Sequence, residues 1–133
     1  YDRPANTFVA GFIGSPSMNI LDAVLRKIDG TVYAETGDTR FAVDGADGLD
    51  DGREVLLGIR PEHLMVGDEG LQGEVAVVEP TGAETHVILR ADRRELTTIV
   101  RERRHFHPGQ TVRLSPQPGM VHLFDSATGA RIA

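Results

Sequence analysis

The chain has 133 residues, 40% of them hydrophobic and 26% charged, which is enough for one compact core and too little for two full domains. It contains no cysteine, so disulfides, thiolate metal sites and cysteine nucleophiles are excluded. Its formal net charge of −6 disfavours a general affinity for polyanions. No apolar run approaches the roughly 18 residues that span a bilayer, and the start lacks the pattern of a signal peptide, so the expectation is a soluble, cytoplasmic chain.

The elements follow in chain order. Pro4 suits the first turn of a helix, and Phe8, Val9, Phe12 and Ile13 then form one apolar stripe, which Gly14 and Pro16 end. Residues 1–17 are therefore expected to be a short helical segment and 18–133 the domain proper. From there on, alternating or β-branched apolar runs predict strands over Ile20–Ile28, Thr31–Glu35, Arg40–Val43, Glu54–Ile59, Leu71–Val78, Thr85–Arg90, Leu96–Val100, Thr111–Leu114 and Val121–Phe124. Turn signals separate them, among them Asp29-Gly30, Gly37-Asp38, Gly67-Asp68, Thr81-Gly82, Pro108-Gly109 and Pro118-Gly119. Many short strands at near-regular spacing predict an all-β fold, a small barrel or sandwich, with one short N-terminal helix.

The acidity is local. Residues 44–70 carry eight acidic against two basic side chains, whereas the segments on either side are nearly balanced. The stretch DGADGLDDG supplies Asp44, Asp47, Asp50 and Asp51, yet it lacks the ligand order and closing glutamate of a calcium loop, so it reads as a solvated acidic loop. The stretch RERRHFH places Arg101, Arg103, His105 and His107 on one face if extended; it reads as a basic edge, with Arg101, Arg103 and Arg104 as candidate anion contacts and no complete metal set.

Catalytic frames are missing. The single lysine, Lys27, follows Arg26 rather than a glycine, so there is no phosphate-binding loop, and neither H-E-x-x-H nor G-x-S-x-G occurs. With no tryptophan and few aromatics outside apolar patterns, the chain also lacks the stacking platform of a nucleic-acid binder. The sharpest local signal is GIRPEHL, Gly58 to Leu64. The apolar strand must turn at Arg60-Pro61, because proline removes a ladder donor and holds the preceding residue extended. Glu62 and His63 are then expected to project beside Arg60, either as a surface ion pair or as a contact for a partner.

Four stretches in order, PANTFVAGFIGSPSMN, LGIRPEHL, GEVAVVEPTGAETHV and VHLFDSATGARI, resemble the C-terminal part of the ATPase subunits of bacterial ABC importers of the maltose-importer type. The resemblance covers nearly the whole chain. It implies a domain of oligonucleotide-binding-fold type, the transport-associated domain, that regulates and dimerises the ATPase subunit without catalysis of its own. Phe8, Val9, Phe12 and Ile13 would pack near the junction with a nucleotide-binding domain that this chain lacks, its start at Tyr1 reading as a truncation. ATP and magnesium belong to that missing domain, and no cofactor is expected here. The implied partners are a second copy of the subunit, its own nucleotide-binding domain and permease subunits at the inner face of the membrane. Arg60, Pro61, Glu62 and His63, with Gly82 and Glu84 in the TGAET turn, are the candidate regulatory contacts. The alternative expectation is a module that binds an oxyanion or sugar phosphate through Arg101, Arg103 and Arg104.

Overall fold

The computed structural model describes residues 18–91, 93–101 and 105–133, and these form two antiparallel five-stranded sheets around a shared core. The expected helix over residues 1–17 lies outside the described residues. The described residues form ten strands: β1 Asn19–Ile28, β2 Thr31–Thr36, β3 Thr39–Ala42, β4 Glu54–Ile59, β5 Leu64–Gly67, β6 Leu71–Thr81, β7 Glu84–Ala91, β8 Arg94–Val100, β9 Thr111–Pro116 and β10 Val121–Asp125. The order is β10-β4-β1-β2-β3 in the first sheet and β5-β9-β6-β7-β8 in the second. The all-β expectation therefore holds. Among the described residues the helical content is one 3-10 turn at Pro61–His63, and no helix is long and apolar enough to cross a membrane.

Period-two alternation decides which residues turn inward. On β1, Leu21, Ala23 and Leu25 are buried while Asp22, Val24 and Arg26 face away. Leu57 and Ile59 of β4, Leu89 of β7, Leu96 of β8, Leu114 of β9 and Leu123 of β10 complete a core drawn from both sheets. The β1–β2 connection is the two-residue Asp29-Gly30 turn, in which both residues take positive φ, 50° and 80°. That geometry matches the right-handed twist of the flanking strands, and Asp-Gly adopts it readily.

Side chains close the gaps that the strand ladders leave. The Asn19 amide donates to the Thr97 carbonyl and accepts from the Thr97 N–H, both at 2.8 Å, so β1 is stitched to β8 across the two sheets. Nearby, Arg94 reaches the Ile20 carbonyl at 3.1 Å and pairs with Asp22. The Thr98 hydroxyl donates to the Leu64 carbonyl, joining the outer strands β8 and β5 and curling the second sheet toward closure.

Two sequence expectations need correction. The four-residue strand β5 pairs with β9 in register Leu64↔Pro116 to Gly67↔Arg113 and was not foreseen, because Leu64–Gly67 is too short to show alternation. The acidic loop is only half solvated. Its carboxylates face water, but Ala46 is fully buried and Leu49 packs on the core. Asp51 accepts from the Lys27 N–H at 2.8 Å, which extends the pairing of β1 beyond its ladder.

Candidate functional site

Chemistry-bearing side chains gather in two places. The first is the corner between β4 and β5, where the chain leaves one sheet and enters the other. Arg60 is extended at φ −67° and ψ 146°, Pro61 starts the 3-10 turn, and the His63 N–H donates to the Arg60 carbonyl at 2.9 Å. Proline is tolerated there because its missing N–H would have no partner in the first turn. The Gln117 N–H then donates to the His63 carbonyl at 2.7 Å, tying the corner to the segment before β10.

The corner does not project as the sequence suggested. Arg60 is only 3% exposed and Pro61 is buried as well, while Glu62 and His63 are half-buried. The strand turns inward around its arginine, which is enclosed and not presented at the surface. Gly58, just before the corner, is required by crowding: a Cβ there would lie 2.6 Å from Met18 Sδ and 2.7 Å from Phe124 Cε2.

A groove of about 570 Å³ opens beside this corner. Arg60 and His63 form part of its wall, together with His122 of β10, Arg131, Asp44 and Met120. His122 and Arg131 come from distant parts of the chain and no local spacing marked them, while Asp44 is the first aspartate of the acidic loop. His122 sits within an apolar strand, and Arg131 is brought in because residues near the end of the chain pair with β10, as in the Phe124↔Arg131 bridge.

The second place is the β6–β7 hairpin. Strand β9 pairs with β6 only over Leu71–Glu74, and a bulge at Val75/Val77 follows. The remainder of β6 continues as an arm with β7 and β8, its outer edge unladdered among the described residues and Val77 43% exposed. Gly82 and Ala83 form the tip. Gly82 takes φ +77° with open space around it, so it serves the turn and not a close packing. Glu84 is half-buried and pairs with Arg101 at 2.8 Å, its other oxygen lying 3.8 Å from His86 Nε2. Of the three candidate anion contacts, Arg101 is thus engaged with a carboxylate, and Arg103 and Arg104 lie outside the described residues, as do Phe8, Val9, Phe12 and Ile13.

The remaining charged clusters are tied internally. A second groove of about 830 Å³ holds Asp22, Glu35 and Arg94 in its wall, and these pair with neighbours: Asp22 with Arg94, Glu35 with Arg40 at 2.8 Å and with Arg26 at 3.6 Å. The hydrogen bond from Arg40 holds the Glu35 carboxyl below the usual carboxylate range. Asp125 is lowered further, to about 2, because its carboxylate accepts the Thr128 N–H, a hydrogen bond from Arg53 and the Ala127 N–H. Among the described residues no group of three or more histidine or acidic side chains is placed to hold a metal.

Comparison with known proteins fits this division. Residues 14–64 match the MalK OB fold domain and residues 57–124 the TOBE domain, the two matches overlapping at the β4–β5 corner. The chain is 48% identical over 133 residues to an ABC transporter ATP-binding protein, y4oS, of Sinorhizobium fredii, covering all of this chain and 36% of that protein. It is 42% identical over 137 residues to the sn-glycerol-3-phosphate import ATP-binding protein UgpC of a Ruegeria species, covering all of this chain and 37% of that protein. It thus spans little more than a third of the length of these relatives, corresponding to their C-terminal part. Among solved structures, the cytoplasmic molybdate-binding protein ModG superposes with a TM-score of 0.61 over 79% of this chain and 94% of its own, at 17% identity, which supports the fold alone. With over half of its residues matched by one family and its whole length aligned to such subunits, the chain belongs to the TOBE domain family, in the form found in ABC transporter ATP-binding subunits.

Proposed function

We propose that this chain is a non-catalytic regulatory and dimerisation domain of the ATP-binding subunit of an ABC importer for sugars or related solutes. The observation that carries the reading is the β6–β7 arm. Among the described residues its β6 edge is left open after β9 departs, and Val77 stands on it 43% exposed. An open edge with an exposed β-branched residue invites a protein neighbour. The bulge before Val77 and the proline at position 80 interrupt a continuous ladder, so the contact is made by side chains and not by strand addition. The occupant is a second copy of the subunit, with Gly82 and Glu84 at the tip of the same arm. The half-buried Glu62 and His63 face the subunit's own nucleotide-binding domain, and the permease subunits are reached through the complete assembly.

This reading explains why the charged pairs of the domain are spent on its own architecture. A regulatory domain acts by favouring one arrangement of two ATPase subunits over another, and it needs a surface and no reaction centre. Sedimentation equilibrium of the complete ATP-binding subunit tests it. Val77→Asp should weaken subunit dimerisation by about tenfold, the effect of burying one uncompensated charge at a contact, while nucleotide affinity is unchanged. Equal dimerisation by parent and variant would remove the arm from the interface.

A further inference from the structure

The groove beside the β4–β5 corner gathers basic side chains from separate parts of an acidic chain. Two guanidinium groups, Arg60 and Arg131, and two imidazoles, His63 and His122, meet there with Asp44 as the one carboxylate side chain in the wall. Arg60 is nearly fully buried, which is uncommon for an arginine and fixes its charge at the base of the fold rather than at a mobile rim. Two further polar atoms in the same wall, His63 Nδ1 and Arg131 Nε, are buried and have no hydrogen-bond partner among the described residues. A buried polar atom left unmatched costs about 1–3 kcal/mol, so in a folded protein each one calls for a partner.

The volume and the apolar lining narrow the ligand. About 570 Å³ falls within the range of small-molecule sites, and it exceeds what a bare inorganic anion fills. Met120, 37% exposed, and Val121 supply an apolar surface next to the cationic one. In the larger groove, by contrast, Asp22 pairs with Arg94, and Glu35 with Arg40 and Arg26.

We infer that the groove formed by Arg60, His63, His122 and Arg131 binds a small phosphomonoester, its phosphate against the guanidinium and imidazole groups and its carbon skeleton against Met120 and Val121. Guanidinium groups suit this ligand because their planar donors match phosphate oxygens in charge and geometry. The site is separate from the β6–β7 arm and does not depend on assembly of the transporter.

Isothermal titration of the 133-residue chain at low ionic strength tests the inference, with glucose 6-phosphate, inorganic phosphate and glucose as probes. Saturable heat is expected from glucose 6-phosphate, weaker heat from phosphate and none from glucose. Arg131→Gln and His63→Gln should each weaken glucose 6-phosphate binding by about tenfold, the effect of losing a charge-assisted hydrogen bond. Arg113→Gln, an exposed arginine on β9 outside the groove, should leave binding unchanged. A thermal melt of each variant separates lost binding from lost folding. The inference is overturned if glucose 6-phosphate gives no saturable signal up to about 10 mM, if glucose binds as well, or if Arg113→Gln weakens binding as much as Arg131→Gln.

Discussion

The β4–β5 corner and the tip of the β6–β7 arm are both turns that carry charged residues, yet the fold uses them in opposite ways. At the corner the chain crosses from one sheet to the other, so its arginine and proline are enclosed by both layers. At the tip the chain reverses within one sheet, beyond the last residue that β9 covers, and Gly82 meets only open space. Turn chemistry therefore says where a chain changes direction. Whether the turned residues face protein or water depends on how many layers surround the turn, and only the assembled sheets decide that.

If the corner is a folding element and the tip is not, the largest effect belongs to Arg60. Truncating it by Arg60→Ala removes a buried stem and its charge and should cost about 3 kcal/mol, read as a shift of the urea midpoint at constant slope. A loss below about 1 kcal/mol would put the corner on the same footing as the tip. The glycines sharpen the same contrast. Gly58→Ala drives a methyl into Met18 and Phe124 and should cost about 2 kcal/mol, whereas Gly82→Ala meets no atom within 4 Å and should cost about 1 kcal/mol from its positive φ alone.

Next in size is an effect of pH on the first sheet. Asp125 is held at about 2, below its ordinary 3.8, chiefly by the Thr128 N–H and then by Arg53 and the Ala127 N–H. A depressed carboxylate contributes stability that is fully present above its unfolded value and is lost as pH falls through its folded value. Parent stability should therefore decline between about pH 4.5 and pH 2, and Asp125→Asn should flatten that decline in acid-unfolding curves. The smallest effect is expected at the arm. Glu84→Gln weakens a pair with Arg101, whose side chain is 67% exposed, and should move stability by less than about 0.5 kcal/mol.

Much of this architecture was legible in the sequence, for local reasons. The runs around Leu21–Leu25, Val55–Ile59 and Val87–Leu89 alternate in a way that only a half-buried strand satisfies, and Asp29-Gly30 demands a tight hairpin. β6 extends past Val78 to Thr81 because Pro80 lies where β9 no longer needs its N–H, a fact about a neighbour and not about the segment itself. The same limit applies to the candidate sites. Arg60 and His63 stood out through their proline, but His122 and Arg131 join them only through the pairing of the last residues with β10. The burial of Ala46 and Leu49 was hidden by the four aspartates around them.

The central claim is that the corner holds the domain together while the arm carries its influence to a second subunit. The most direct test is the transport-coupled ATPase rate of the assembled importer bearing Val77→Asp, compared with the rate at which the same variant's domain unfolds. The account predicts a coupled rate changed by at least about threefold, with ATP affinity and domain stability unaltered, because a contact at the arm shifts the equilibrium between two arrangements of the dimer without touching nucleotide or core. A coupled rate equal to that of the parent, in a variant that folds as well as the parent, would contradict it.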